Sequence, residues 1–115
     1  MPDLWMGPNL FRFEQVVIER VVMPGEPGNY VLGFKDESGE FIPKYIGRSD
    51  SDLRAEMTAK LATMKYPYFK FSRGNPKIAF QTECAQFHNF PGQLDNKVHP
   101  MSPTDSGLKC FLCGL

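Results

Sequence analysis

The spacing of apolar positions changes along the chain, and each spacing predicts a different element. Residues 10–23 contain a cluster of β-branched side chains that fits either a strand or a short helix. The cluster ends at residues 24–28, a run of prolines and glycines that predicts a turn. Residues 29–35 and 41–47 then alternate apolar and polar positions around a turn-forming segment, residues 36–39. This arrangement predicts a β-hairpin, with Tyr30, Leu32 and Phe34 on one face of its first strand.

Helical spacing begins after the hairpin. Apolar residues recur every three or four positions over residues 52–64, directly after several side chains that could cap a helix. Residues 68–72 alternate aromatic and polar side chains and predict a third strand. Asn75 followed by Pro76 predicts the start of a second helix over residues 76–89, because proline suits the first helical position. The predicted inner face of that helix consists of Ile78, Ala79, Phe80, Glu83, Phe87 and His88.

These elements predict an α/β domain of the α+β kind, with a three-stranded antiparallel sheet flanked by helices. The chain has 115 residues, enough for one hydrophobic core. We divide it into an N-terminal extension (1–27), a main domain (28–99) and a tail (100–115) that belongs to the same domain. Prolines and glycines dominate from Pro91 onward, so we expect the tail to be held by something other than secondary structure.

Composition favours a soluble protein. Apolar residues make up 42% of the chain and charged residues 23%, and no apolar run approaches the roughly 20 residues that would cross a bilayer. The first ten residues lack the charged start and apolar stretch of a secretory signal. We therefore expect a cytoplasmic protein with no membrane partner.

Charge is distributed unevenly along the chain. The formal net charge is zero, but residues 44–77 hold eight basic side chains against three acidic ones, a net +5. A basic stretch of this kind fits a surface that faces phosphate groups. It equally fits a solvated surface that has no partner.

The cysteines favour a metal site over disulfides, because three thiols cannot all pair and a reducing cytosol disfavours disulfides. Cys84 and His88 are four positions apart on the second predicted helix and therefore project from one face. Cys110 and Cys113 form a Cys-x-x-Cys loop, which completes a plausible tetrahedral zinc set. His99 is a fifth candidate ligand and could replace His88.

A closed set of four such ligands would make the zinc structural, and the ion would pin the tail to the second helix. The alternative has Cys84 as a core thiol, both histidines on the surface, and Cys110 and Cys113 as free thiols near the chain end.

The segments Gly28-Asn29-Tyr30 and Tyr45-Ile46-Gly47-Arg48-Ser49 carry a resemblance to a known family. With the order hairpin, helix, strand, helix, they resemble the GIY-YIG nuclease superfamily from roughly Gly28 to His99. The second segment is the more specific one. The Cys-x3-His, Asn-x-x-His-Pro and terminal Cys-x-x-Cys pattern is similar to that of small bacterial-type members with a C-terminal zinc knuckle.

The resemblance implies hydrolysis of a DNA phosphodiester in a magnesium-dependent reaction. It implies that Tyr30 is a general base with a lowered pKa, that Tyr45 orients the attacking water and that Glu83 binds Mg²⁺. Asn96 would complete the site, and Gly47 would let the backbone approach the substrate. Such hydrolysis needs an activated water and a sink for the charge of the transition state.

Other roles for the same residues stay open. The two tyrosines could simply pack on one sheet face. Glu83 could pair with Lys70 or Arg73 at the helix rim. Asn96 could be an ordinary turn asparagine.

The chain departs from the family at Glu56. Family members usually place a phosphate-clamping arginine at this position of the first helix, and a carboxylate there would repel phosphate. Arg48 and Arg54 are the nearby cations that could take over the contact. We therefore expect a metal-dependent endonuclease that is weak, and the alternative is a non-catalytic nucleic-acid-binding or structural zinc-binding module. Replacing Glu56 by arginine is expected to raise cleavage.

Overall fold

The computed structural model describes residues 9–97, 99–103 and 106–110. Within them the chain forms strands and helices in alternation around one sheet. The elements are β1 (Phe11–Arg12), α1 (Gln15–Val21), β2 (Gly28–Lys35), β3 (Phe41–Ser49), α2 (Leu53–Leu61), β4 (Tyr68–Arg73) and α3 (Pro76–Asn89). The α+β class, the hairpin and both main helices are confirmed. None of the described helices is long and apolar enough to cross a membrane.

The sheet has four antiparallel strands in the order β1-β4-β2-β3, one more than the sequence predicts. The additional strand is β1, a two-residue strand in which Phe11 pairs with Phe69 of β4. Residues 10–23, which the sequence assigned to either a strand or a short helix, form both: the strand β1 and then the helix α1. Seven residues are too few for an independently stable helix, so α1 depends on the burial of Val17 and Ile18.

β2 is an interior strand of the sheet, between β4 and β3, and other elements cover both of its faces. Tyr30 and Leu32 belong to the core that α1 and α2 close on one face. On the other face, Asn29 donates a hydrogen bond from Nδ2 to the carbonyl oxygen of Ala79 in α3, at 2.7 Å. Phe34 is 40% exposed, although it has the same parity as Tyr30 and Leu32. It lies near the end of β2, outside this core.

Side-chain caps begin both main helices, as the sequence predicts. Asp52 accepts from the Ala55 amide at the start of α2, and Asn75 accepts from the Ile78 amide at the start of α3. α3 buries Ala79, Phe80, Glu83, Cys84, Ala85 and Gln86. Ile78 is 52% exposed, so its place on the predicted inner face was wrong. It lies in the first turn of the helix, before the buried face begins at Ala79.

Gly47 is required by the packing of the hairpin itself. It stands opposite Tyr30 across the β2–β3 pair, and the Tyr30 ring lies directly over its backbone. A Cβ atom on Gly47 would fall 2.3 Å from Cζ and 2.4 Å from the phenolic oxygen of Tyr30. The space on the Cβ side of Gly47 is therefore occupied by Tyr30, and the glycine is needed there for packing.

We expect Gly47→Ala to lower the free energy of unfolding by about 1–3 kcal/mol, because the added methyl group must displace the buried phenol. Chemical denaturation measures the change. Gly74→Ala is the matched control, since a Cβ there would meet only the Ile78 side chain at ordinary distances, 3.4 Å from Cγ2 and 3.7 Å from Cβ. Equal stability of the two variants would contradict this account of Gly47.

Candidate functional site

A cleft of about 360 Å³ adjoins the edge strand β3. It brings together all the residues nominated for catalysis except Arg54. The cleft is lined by Tyr30, Tyr45, Ile46, Gly47, Arg48, Asp50, Glu56, Glu83, Asn96, His99 and Met101. Residues far apart in sequence therefore meet where the hairpin, α2, α3 and the segment after α3 adjoin.

Tyr30 is fully buried, and its hydroxyl donates a hydrogen bond to Glu56 Oε2 at 2.9 Å. Burial, reinforced by the nearby Glu56 carboxylate, raises the pKa of Tyr30 far above its ordinary value. This direction is opposite to the lowering that the resemblance implies for a tyrosine beside a bound metal ion. In this environment Tyr30 is a protonated phenol that donates a hydrogen bond.

Tyr45 packs beside Tyr30, with ring centroids 6.3 Å apart and the rings inclined at 30°. Lys60 of α2 places its ammonium nitrogen 6.0 Å from the Tyr45 ring centroid and 3.8 Å from Glu56 Oε2. Glu56 therefore contacts a buried phenol and a nearby cation, and about a third of its side chain, 32%, remains exposed.

Arg48 and Glu83 form the most buried ion pair at the cleft. Arg48 Nη1 lies 2.5 Å from Glu83 Oε1, and the two side chains are 11% and 10% exposed. Arg48 also donates to Asp50 Oδ1 at 2.9 Å and to the carbonyl oxygen of Met101, and its guanidinium lies 5.1 Å from the Phe80 ring centroid. Of the alternative partners expected for Glu83, Arg73 instead faces Glu26, with Nη1 3.6 Å from Oε2.

The electrostatics of this pair follow from burial and hydrogen bonding together. Burial raises the pKa of Glu83, and the hydrogen bond from Arg48 offsets only part of that effect. For Arg48, burial acts to lower the pKa, but the hydrogen bonds to Asp50 and Glu83 outweigh it, so the pKa is raised. Arg48 is therefore a permanent cation at the cleft.

The cleft nevertheless carries a negative formal charge. One arginine faces three carboxylates, those of Asp50, Glu56 and Glu83, which gives −2 with His99 neutral. Outside the cleft, Lys44 lies 3.8 Å from Asp95 and Arg73 lies 3.6 Å from Glu26. With Arg48 and Lys60, four of the eight basic side chains of residues 44–77 thus lie within 4.0 Å of a carboxylate.

Arg54 points away from the cleft. Its Nε donates to the carbonyl oxygen of Val22 at 2.7 Å, and its Nη2 donates to that of Glu19 at 2.6 Å. These carbonyls lie at the C-terminal end of α1, where a helix leaves its last acceptors unpaired. Arg54 therefore joins α2 to α1, and Arg48 is the arginine that the structure places at the cleft.

Asn96 lines the cleft, but its side-chain amide forms hydrogen bonds with the backbone of β3. Its Oδ1 accepts from the Ile46 amide at 2.9 Å, and its Nδ2 donates to the Ile46 carbonyl at 2.8 Å. Gln93 Nε2 donates to the Pro43 carbonyl at 2.8 Å, and the Asp95 amide donates to the Lys44 carbonyl. Residues 93–96, the edge segment, are thereby fixed along β3, and hydrogen bonding to an edge strand holds this part of the chain.

A second group of side chains could hold a metal ion. The ligand atoms of Cys84, His99 and Cys110 all lie within 4.8 Å of one another. Cys84 is fully buried on α3, and Cys110 is 2% exposed. Burial, together with a hydrogen bond to Cys110, raises the pKa of the Cys84 thiol to about 12. The site brings together three of the predicted ligands, whereas Cys113 lies outside the described residues.

The histidines are arranged so that His99 offers a nitrogen lone pair to this group. Its Nδ1 lies 2.8 Å from the Pro100 carbonyl oxygen, which only accepts, so Nδ1 carries the proton and Nε2 presents its lone pair. His88 Nε2 lies 3.3 Å from His99 Nε2. Two nitrogens bound to one tetrahedral zinc at about 2.0–2.1 Å would be roughly the same distance apart, but the described metal group contains His99 and not His88.

His99 connects the two sites, because it belongs to the metal group and also lines the cleft. Asp50 and Met101 are cleft residues that the sequence reasoning missed. Asp50 could have been found, because it lies two positions after Arg48 at the end of a predicted strand, where side chains share a face. Met101 contributes a backbone carbonyl to Arg48, and no sequence pattern marks that role.

Comparison with known proteins gives no relative. No protein-family model matches the chain, and neither a curated protein nor a solved structure matches it. The chemistry of the cleft and of the metal group therefore carries the functional argument.

We expect Asn96→Ala to lower the free energy of unfolding by about 1–3 kcal/mol, because it leaves both backbone groups of Ile46 without these partners. Amide hydrogen exchange should accelerate selectively along β3. Lys97→Ala, at an exposed neighbouring position, is the control and should leave exchange unchanged. Unaltered exchange in Asn96→Ala would show that the amide does not fix the edge segment.

Proposed function

We propose that the chain is a GIY-YIG-like, metal-dependent nuclease that hydrolyses DNA phosphodiester bonds in the cleft. The observation that supports this most is the convergence of Tyr30, Tyr45, Arg48 and Glu83 on one cleft, although they come from three separate elements. The motif resemblance nominated these residues from the sequence, and the folded chain brings them together. The edge segment closes the same cleft through Asn96.

In this proposal Arg48 contacts the phosphate. It is a permanent cation at the cleft, and Arg54, the other candidate, is engaged with α1. A planar guanidinium suits a phosphate because it can donate two parallel hydrogen bonds. Its present partner, Glu83, would have to share Arg48 with the substrate.

Glu83 is the proposed carboxylate for Mg²⁺. Carboxylate oxygen is a preferred ligand of this ion, and the described contacts of Glu83 use Oε1, which leaves Oε2 to face a cation. When bound, Mg²⁺ would supply a charge sink for the developing phosphorane. The pKa of Glu83 is raised because burial disfavours its charged form more than Arg48 favours it. A divalent cation bound to the carboxylate would favour the charged form.

The negative charge of the cleft requires a cation before a phosphate group can bind there. A phosphodiester carries one negative charge, so entering a cleft of formal charge −2 would be electrostatically unfavourable. One divalent cation cancels that charge. Binding of nucleic acid to the cleft should therefore depend on a divalent cation, and the paired surface lysines and arginines would add only modest affinity.

The second metal of the proposal is a structural zinc on Cys84, Cys110 and His99. Two thiolates and an imidazole form a donor set that zinc prefers, and a closed set holds the metal for structure rather than catalysis. The fourth ligand would come from His88 or Cys113. A reducing, cytoplasmic setting would keep the thiols available for the ion.

A non-catalytic nucleic-acid-binding or structural zinc module is the second candidate. The observation that favours it is the ion pair between Arg48 and Glu83, which occupies both the proposed phosphate contact and one oxygen of the proposed magnesium ligand. In such a module the pair would serve stability, and the cleft would carry out no reaction.

Protein purified without chelator should contain about one zinc per chain. We expect His99→Ala and Cys110→Ser each to lose the ion and to melt at a lower temperature, because binding energy of a structural zinc is folding energy. Metal analysis and thermal unfolding measure both effects. His88→Ala tests whether the second imidazole is a ligand. A Cys110→Ser protein that retains its zinc and its melting temperature would refute the site.

The nuclease proposal predicts Mg²⁺-dependent cleavage of a mixed set of DNA substrates. Glu83→Gln should abolish it, and Arg48→Ala should slow it by about 100-fold or more, because each removes charge stabilisation from the transition state. Arg54→Ala is the matched arginine control and should cleave at the wild-type rate. Circular dichroism confirms that each variant is folded. DNA binding without cleavage in Mg²⁺ would instead support the non-catalytic module.

A further inference from the structure

Glu56 is the feature of the cleft that the family resemblance leaves without a role. It lies at the cleft, its side chain is 32% exposed, and its Oε2 is held by the hydroxyl of Tyr30 at 2.9 Å. Tyr30 itself is fully buried. A water molecule in the cleft can therefore reach the Glu56 carboxylate more directly than it can reach the phenol.

We propose that Glu56 is the general base of the cleft and that Tyr30 is the positioning residue that holds it. This assignment rests on the proposed nuclease function and deepens it, because it gives the residue that departs from the family a chemical task. It also differs from the motif resemblance, which makes Tyr30 the general base and places a phosphate-binding arginine at the position of Glu56.

The proposed step transfers one proton. Glu56 Oε1 accepts a proton from water as the water oxygen attacks phosphorus, so an O–H bond breaks while an O–P bond forms. The bond from phosphorus to the leaving oxygen then breaks, and that oxygen takes a proton from solvent. Glu56 later releases its proton to solvent, which restores the carboxylate.

The surroundings of Glu56 suit this task. Tyr30 remains protonated because its pKa is raised, so it donates steadily to Oε2 and leaves Oε1 for the water. Lys60 places its ammonium nitrogen 3.8 Å from Oε2, on the same oxygen that Tyr30 holds. Glu83 across the cleft carries the same charge as Glu56, but Arg48 is paired with it.

The same geometry changes the expected effect of an arginine at this position. Glu56→Arg would remove the acceptor of a fully buried hydroxyl and place a second cation beside Lys60. Where the family pattern alone predicts faster cleavage for this variant, the structure leads us to expect slower cleavage.

The test compares single-turnover DNA cleavage by wild type, Glu56→Gln and Tyr30→Phe across pH in saturating Mg²⁺. Glu56→Gln keeps an acceptor for Tyr30 but is a far weaker base, so its rate should fall by about 100-fold or more. The acid limb of the pH profile, which reports ionisation of the base, should disappear. Tyr30→Phe should cleave more slowly than wild type yet keep that limb. Glu37→Gln, an exposed glutamate in the hairpin turn, should match wild type.

Two further measurements separate a base from a structural or metal-binding role. Formate should partly restore cleavage by Glu56→Ala, because it can supply a carboxylate base in the vacated space. The Mg²⁺ concentration that gives half-maximal rate should be the same for Glu56→Gln and wild type. Failure of formate rescue together with an intact acid limb in Glu56→Gln, or a large shift in Mg²⁺ dependence, would overturn the assignment.

The outcome also distinguishes this assignment from the proposed function. Wild-type cleavage that Glu83→Gln abolishes but Glu56→Gln leaves unchanged would overturn the role of Glu56 and keep the nuclease. Absence of cleavage by wild type in Mg²⁺, with DNA bound, would overturn both.

Discussion

The close contact between the Tyr30 ring and the Gly47 backbone determines most of what lies around it. Tyr30 is on the central strand, so its ring is buried beneath α2, and its hydroxyl has to find an acceptor there. Glu56 provides that acceptor. Because Gly47 has no side chain, the ring can pack closely against β3, and the next residue, Arg48, begins the ion-paired side of the cleft. Gly47 and Tyr30, one from each motif segment, therefore have a structural role as a packing pair, whatever their role in the chemistry of the cleft.

The balance of charge at the cleft has a similar origin. Arg48 and Glu83 are each nearly buried, and an isolated charge in either place would be costly. Each compensates the other, and Asp50 and the Met101 carbonyl accept further hydrogen bonds from the guanidinium. A cation or a phosphate that enters the cleft has to compete with these contacts, so the strength of the ion pair sets how readily the cleft can bind a charged ligand.

Sequence patterns predicted the elements well where spacing and caps agreed, as at Asn75 and Pro76, which begin α3 as expected. They failed where tertiary contacts decide: β1 is a strand only because β4 lies beside it, and Ile78 is exposed although its neighbour Ala79 is buried. For the cleft, residue types and motif order indicated Tyr30, Tyr45 and Glu83. The direction of the Tyr30 pKa and the orientation of Arg54 depend on partners from distant elements, which spacing cannot reveal.

The edge segment also has a consequence for how copies of the chain behave toward each other. β3 is at the border of the sheet, and a bare border strand offers its amides and carbonyls to any other strand that approaches. Gln93, Asp95 and Asn96 bond to Pro43, Lys44 and Ile46 of that border and replace the pairing that a second molecule would otherwise make there. The segment that closes the cleft thereby also shields the sheet from self-association.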